Sequence, residues 1–144
     1  MNTQDTVSLT GKLSISLNGT VVKEVTNLVV TAGKEWIASR MKAASAGVMT
    51  HMAVGTGTTA AAIGNTALVT ELTRQALTTS GGTVAGAVVT FATTYAAGTG
   101  TGAITEAGIF NANSAGTMLA RTVFSVVNKG ALDTMTISWA VTIS

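Results

Sequence analysis

The last strand-like segment of the chain sets the strongest constraint on its fold. From Met135 to Ile143, apolar Met135, Ile137, Trp139, Val141 and Ile143 alternate with Thr136, Ser138, Ala140 and Thr142, and Thr134 precedes them. A period of two over this length describes a β-strand with one wet face and one face that must be covered. The other end of the chain repeats the design. Val7, Leu9, Leu13, Ile15 and Leu17 are apolar, only Gly11 interrupting, and the even positions between them are Ser, Thr or Lys. Asn18-Gly19 follows, a dipeptide whose residues both tolerate positive φ, so Thr20 to Val25 returns as the partner strand of a hairpin spanning 6–25.

The period changes once. In "TAGKEWIASRMKAA", Trp36, Ile37, Arg40, Met41 and Ala44 fall on one helical face, with Thr31 as N-cap and Gly47 as stop, which predicts a single short helix near 32–44. A strand then runs into the glycine turn of "VMTHMAVGTG". Ala67 to Leu72 reads as a short helical turn, and strands are predicted at Thr73 to Thr79, Val84 to Tyr95, Ala103 to Asn111 and Thr117 to Val127. Strands at short spacing, separated by Gly-rich turns and each with one buried face, predict an all-β, antiparallel, jelly-roll-like sandwich. No linker or repeat divides residues 1–144, which read as one domain.

The surface of such a domain would be unusual. Only 10% of the 144 residues are charged while 47% are hydrophobic, against about 25% charged in typical soluble domains. Its polarity comes from hydroxyls. A chain with so little self-repulsion is expected to cover part of itself by packing against copies or partners, as a homo-oligomer or assembly component. The net charge is +2, and Lys12, Lys23, Lys34, Arg40, Lys42, Arg74, Arg121 and Lys129 are scattered. That spread, with few aromatic residues, argues against nucleic-acid binding. There is no cysteine, which removes disulfides and thiolate metal sites and agrees with assembly in a reducing cytoplasm. The start "MNTQDTVSLTGK" has no secretory pattern, and the uncharged stretches Ala43–Thr70 and Gln75–Thr105 are too broken by Gly and Thr to span a membrane as helices.

Three features invite a chemical reading. "HMAVGTGTTAA" carries Gly55-Thr56-Gly57 after an apolar stretch, much of the turn that cradles a dinucleotide pyrophosphate. Such a site needs a helix opening at the glycines and an acid about 20 residues on. Here Gly64-Asn65 interrupts any helix and the first acid is Glu71. Gly55 and Gly57 therefore read as a structural strand-to-loop turn, with no cofactor expected. His51, the single histidine, has Thr50 and Met52 as neighbours and reads as a core-edge residue bonded to backbone. Asp5 and Asp133 are remote in sequence, and neither a metal site nor a catalytic residue is expected. Glu106, in the apolar run "AITEAGIF", needs a partner if buried. A hairpin about "ANSAG" brings it within about one residue of facing Arg121. Glu106–Arg121 reads as a structural ion pair, and that pair or Arg74 is a candidate for an inter-subunit contact.

Taken in order, "NLVVTAGKEWIASRM", "MTHMAVGTGTTAAAIGNTALVTELTRQAL" and "ITEAGIFNANSAGTMLART" resemble a module of tailed-bacteriophage virion proteins, best known at the N-terminus of tail-collar and tail-fibre proteins. The resemblance runs from about Asn27 to the C-terminus, and the second segment is its most specific part. It implies that Thr50–Gly55 is a strand entering the glycine loop Gly55–Thr59, that Thr66–Glu71 precedes a strand bearing Arg74, and that Glu106–Phe110 is a later strand, all as fold-defining positions. The chain ends at Ser144 without a fibre shaft or tip and begins with its own hairpin, so a free-standing small virion protein is expected. The expectation is a non-enzymatic structural protein of the virion, assembled in the host cytoplasm. In the first reading it decorates and cements the capsid by binding the major capsid protein in many copies. In the alternative it is a tail or baseplate component bound to other tail proteins. The hydroxyl faces Thr6–Ser16 and Thr134–Thr142 are the candidate contact surfaces.

Overall fold

The computed structural model describes residues 6–42 and 46–144. Its strands are β1 (Leu9–Leu17), β2 (Thr20–Val29), β3 (His51–Gly55), β4 (Glu71–Ala76), β5 (Thr83–Ala85), β6 (Val88–Tyr95), β7 (Gly102–Phe110), β8 (Met118–Lys129) and β9 (Met135–Ile143), with one helix, α1 (Thr31–Lys42), between β2 and β3. All strand pairs are antiparallel. They form a curled sheet in the order β4-β3-β7-β8-β2-β1-β9-β6-β5, roughly a half-barrel and sandwich-like. The two wings meet across a core that includes Leu13, Ile15, Met52, Tyr95, Ile104, Ile109, Ile137 and Trp139, each fully buried.

The alternation at the chain ends does what its period dictates. Leu13 and Ile15 of β1 lie opposite Trp139 and Ile137 of β9, and all four point into the core. The hairpin turn has Asn18 at φ 50° and Gly19 at φ 84°, the primed-turn geometry that matches strand twist. The Asn18 amide also bridges to the β8–β9 turn. Its Nδ2 donates to Asp133 Oδ1 at 2.9 Å, and its Oδ1 accepts from Thr134 N at 3.0 Å.

Several boundaries differ from those read in the sequence. Val7 is exposed and β1 begins at Leu9. Val84 to Tyr95 is a hairpin, β5 and β6, because Gly86 takes φ 59° and turns the chain. Ala67 to Leu72 makes no helical turn, and the following strand begins at Glu71 and ends at Ala76. Helix α1 starts at Thr31, with the Val30 carbonyl accepting its first bond from Lys34 N; Ala43 and Ala44, at its expected end, lie outside the described residues, as does Asp5. On its face, Trp36 and Ile37 pack on the core while Met41 is exposed. The helix packs closely on the sheet at Gly33, where a Cβ would collide with the backbone carbonyl of Leu119.

Candidate functional site: a glycine loop closed on a carboxylate

Strand β3 delivers the chain into the long connection 56–70, which has no regular secondary structure and returns as β4. A connection of this kind needs its backbone polar groups satisfied from elsewhere. Glu106, on the neighbouring strand β7, supplies the acceptor. Its Oε1 accepts from Gly57 N at 3.0 Å and Thr70 N at 2.7 Å, and its Oε2 accepts from Val69 N at 3.0 Å. The two ends of the connection are thereby drawn onto one carboxylate.

Arg121 of β8 completes the group. Its Nε and Nη2 donate to Glu106 Oε2 at 3.1 and 2.9 Å, and both side chains are 0% exposed. The same guanidinium reaches the middle of the loop, donating through Nη1 to Asn65 Oδ1 at 3.0 Å and through Nη2 to Thr59 O at 2.9 Å. Asn65 Oδ1 also accepts from Ala62 N at 2.8 Å, and Thr105 Oγ1 donates to Gly57 O at 2.8 Å. A buried pair is stabilising only when the remaining lone pairs and protons are satisfied, and here loop backbone does most of that. Burial alone raises the Glu106 pKa. The hydrogen bonds from Thr70, Val69, Arg121 and Gly57 outweigh burial and hold it below the ordinary carboxylate value.

The two glycines follow from the same geometry. A Cβ on Gly57 would lie 2.5 Å from Glu106 Oε1, and one on Gly55 would lie 2.7 Å from it. A side chain at either position would displace the carboxylate. The carboxylate thus sits among three loop amides, of which the Gly55-Thr56-Gly57 turn supplies one, Gly57 N, while Thr56 N donates to Thr70 O; the turn is the structural strand-to-loop turn read in the sequence, and the anion it meets is the protein's own Glu106. No helix opens at these glycines.

The register corrects the expected facing of the pair. Arg121 lies opposite Gly108, and Glu106 opposite Val123, so the side chains meet diagonally, two residues out of step. Irregularities between Ile104 and Glu106 and between Ile109 and Phe110 shift this ladder.

Arg74 lies elsewhere, on β4. Its Nε and Nη2 hold Glu71 at 3.1 and 2.7 Å, and its Nη1 donates to Ala112 O and Ala115 O, each at 2.9 Å. Its Cζ sits 3.8 Å from the centre of the Phe110 ring. The side chain thus staples the β7–β8 turn to β4 and is 7% exposed. His51, expected to bond backbone, instead pairs through Nδ1 with Thr50 Oγ1 at 2.8 Å. Burial, and secondarily the positive charge of Arg74, lowers its pKa. Among the described residues, no three His, Asp or Glu side chains cluster as metal ligands, and no helix is long and apolar enough to cross a membrane.

Sequence reasoning missed the loop's contribution. Thr59, Val69 and Thr70 act through backbone atoms, which leave no side-chain signature. Asn65 was visible only as a helix breaker. Comparison with protein-family models, with curated proteins and with solved structures finds no significant match.

Proposed function

We propose that this protein is a non-enzymatic structural component of a tailed-phage virion, and that it serves as a decoration or cement protein on the capsid shell. The observation that carries the assembly reading is a continuous outer sheet face. The two hydroxyl-bearing faces found separately at the chain ends lie side by side, Thr10 opposite Thr142, Ser14 opposite Ser138 and Ser16 opposite Thr136. Strand β6 extends the face, with Thr94 opposite Thr136 and their hydroxyls 3.1 Å apart. Lys12 is the charged side chain that β1 brings to this face. A partner that covers such a face must return hydrogen bonds to its hydroxyls, whereas the only ion pair it meets there among the described residues is the exposed Lys12–Glu24 contact at 3.5 Å. Many such contacts summed over a shell resist internal pressure through multivalency.

The chemistry of the site supports the same reading. Glu106 and Arg121 spend their hydrogen bonds on fastening the loop, and the anion that the glycine turn meets is Glu106. Such a site works as a rigid scaffold. The assignment to a phage particle rests on the resemblance of Asn27 to the C-terminus to the tail-collar module. That resemblance also favours the second reading, a tail or baseplate component that docks a fibre or collar.

Copy number in purified particles tests both. Quantitative mass spectrometry against the major capsid protein is expected to give hundreds of copies, as icosahedral decoration requires. About 3 to 18 copies, the range of symmetric tail assemblies, would replace the capsid reading by the tail one. Absence from the particle would overturn both.

A further inference from the structure

The Asn18-Gly19 turn of the first hairpin carries a chemical reactivity that the fold holds in check. In an Asn-Gly pair the glycine nitrogen can attack the asparagine side-chain carbonyl, because the second residue has no side chain to hinder the approach. Both residues are exposed, and a Cβ added at Gly19 would meet nothing within 4 Å. Neither burial nor packing shields the pair.

What restrains the reaction is the bonding of Asn18 itself. Its Nδ2 donates to Asp133 Oδ1 at 2.9 Å, its Oδ1 accepts from Thr134 N at 3.0 Å, and its backbone N donates to Thr134 O at 2.9 Å. The carboxylate is fixed in turn, Asp133 Oδ2 accepting from Gly130 N at 2.7 Å. Both polar atoms of the amide are therefore held against the β8–β9 turn, whereas ring closure needs its carbon to swing onto Gly19 N. The backbone is constrained as well, with Asn18 at φ 50° between the paired residues Leu17 and Thr20. This clasp closes the end of the β1–β9 ladder, beside the Leu17–Met135 pair.

We propose that Asn18 is a latent deamidation site, guarded by its clasp to Asp133 and Thr134, and that its conversion opens that clasp. When the amide comes free, the Gly19 nitrogen gives up its proton and bonds to Asn18 Cγ, closing a five-membered succinimide. Nδ2 leaves as ammonia, taking that proton. Water then opens the ring at either carbonyl, giving aspartate or isoaspartate. Both products replace the Nδ2 donor by a carboxylate oxygen, so an attractive contact with Asp133 becomes a like-charge one. Isoaspartate also adds a carbon to the backbone of a two-residue turn. The change runs one way and loosens the join between the first hairpin and the last strand. This inference is independent of the virion assignment.

Incubation of the full chain at mildly alkaline pH, with isoaspartate at position 18 quantified by peptide mass spectrometry, tests the guard. The native chain is expected to convert at least about tenfold more slowly than the same chain in urea, and Asp133→Ala at least about threefold faster than the native chain. No conversion in urea would overturn the site. A native rate equal to that in urea or to that of Asp133→Ala would overturn the guard. Thermal unfolding tests the consequence. Asn18→Asp should melt below Asn18→Gly, which removes the side chain without adding charge, and Asn18→Asp/Asp133→Asn should regain most of the loss by exchanging donor and acceptor. Asn18→Asp melting at or above Asn18→Gly, or a double variant no more stable than Asn18→Asp, would overturn the claim that deamidation opens the clasp.

Discussion

Gly57 donates its backbone N–H to Glu106 Oε1 at 3.0 Å, and a Cβ on the same glycine would lie 2.5 Å from that oxygen. One residue therefore both binds the carboxylate and must lack a side chain for it to be there. The loop 56–70 and the strands β7 and β8 are coupled through this contact and through Arg121.

Removing one partner of the buried pair should be strongly destabilising. Glu106→Gln and Arg121→Met each leave an uncompensated group in a site that excludes water, and each is expected to cost about 3–5 kcal/mol in urea unfolding. The double variant should lose less than the sum by at least about 1 kcal/mol, because the two changes remove the same interaction. Additive losses would show that the side chains act separately.

The glycines should divide by position. Gly57→Ala pushes a methyl group into Glu106, Gly55→Ala pushes one into the Thr70 carbonyl and then Glu106, and each is expected to cost about 1–3 kcal/mol. Gly64 belongs to the same loop, but a Cβ there meets nothing within 4 Å. Gly64→Ala should be neutral or stabilising, by up to about 1 kcal/mol, through the unfolded chain. Thermal unfolding of the three variants side by side decides the point.

Acid should weaken the protein through Glu106. The folded-state pKa lies below the ordinary value of 4.5, so the unfolded chain takes up the proton first as pH falls. The stabilisation is fully present above the unfolded value and is lost as pH falls through the folded one. Asp133, whose pKa is lowered by the Asn18 amide and by Gly130 N–H, changes stability in the same direction. Urea midpoints measured from pH 6 down to about 2.5 should fall steeply in the native chain and less steeply in Glu106→Gln.

Arg74→Lys tests whether the staple depends on a planar fork. Lysine cannot hold Glu71 with two nitrogens, reach two carbonyls and stack on Phe110 together. A loss of about 1–3 kcal/mol is expected, with faster amide exchange in the 111–117 turn. An unchanged turn would mean that Glu71 alone fixes the β4 end.

What the sequence revealed depended on how each element satisfies its backbone. Strands β1 and β9 were legible because one face is wet and the other buried, so their period is two. The β5–β6 hairpin was hidden because Gly86-Ala87 sits in a run of small and apolar residues with no polar turn signal. The stretch Ala67–Leu72 looked helical by spacing, but its Val69 and Thr70 amides bond a carboxylate 36 to 37 residues away. A lone acid in an apolar strand was enough to predict the Glu106–Arg121 pair. Its diagonal geometry was not legible, because ladder irregularities shift the register without changing residue pattern.

The most direct test of the account is a pH titration of isotope-labelled protein that follows the Glu106 side-chain carboxyl and the amides of Gly57, Val69 and Thr70 together by NMR. The account predicts a Glu106 midpoint below 4.5, with all three amides moving at that same midpoint. A Glu106 midpoint at or above 4.5, or loop amides that do not follow it, would contradict the claim that this carboxylate is the anion held by the three loop amides.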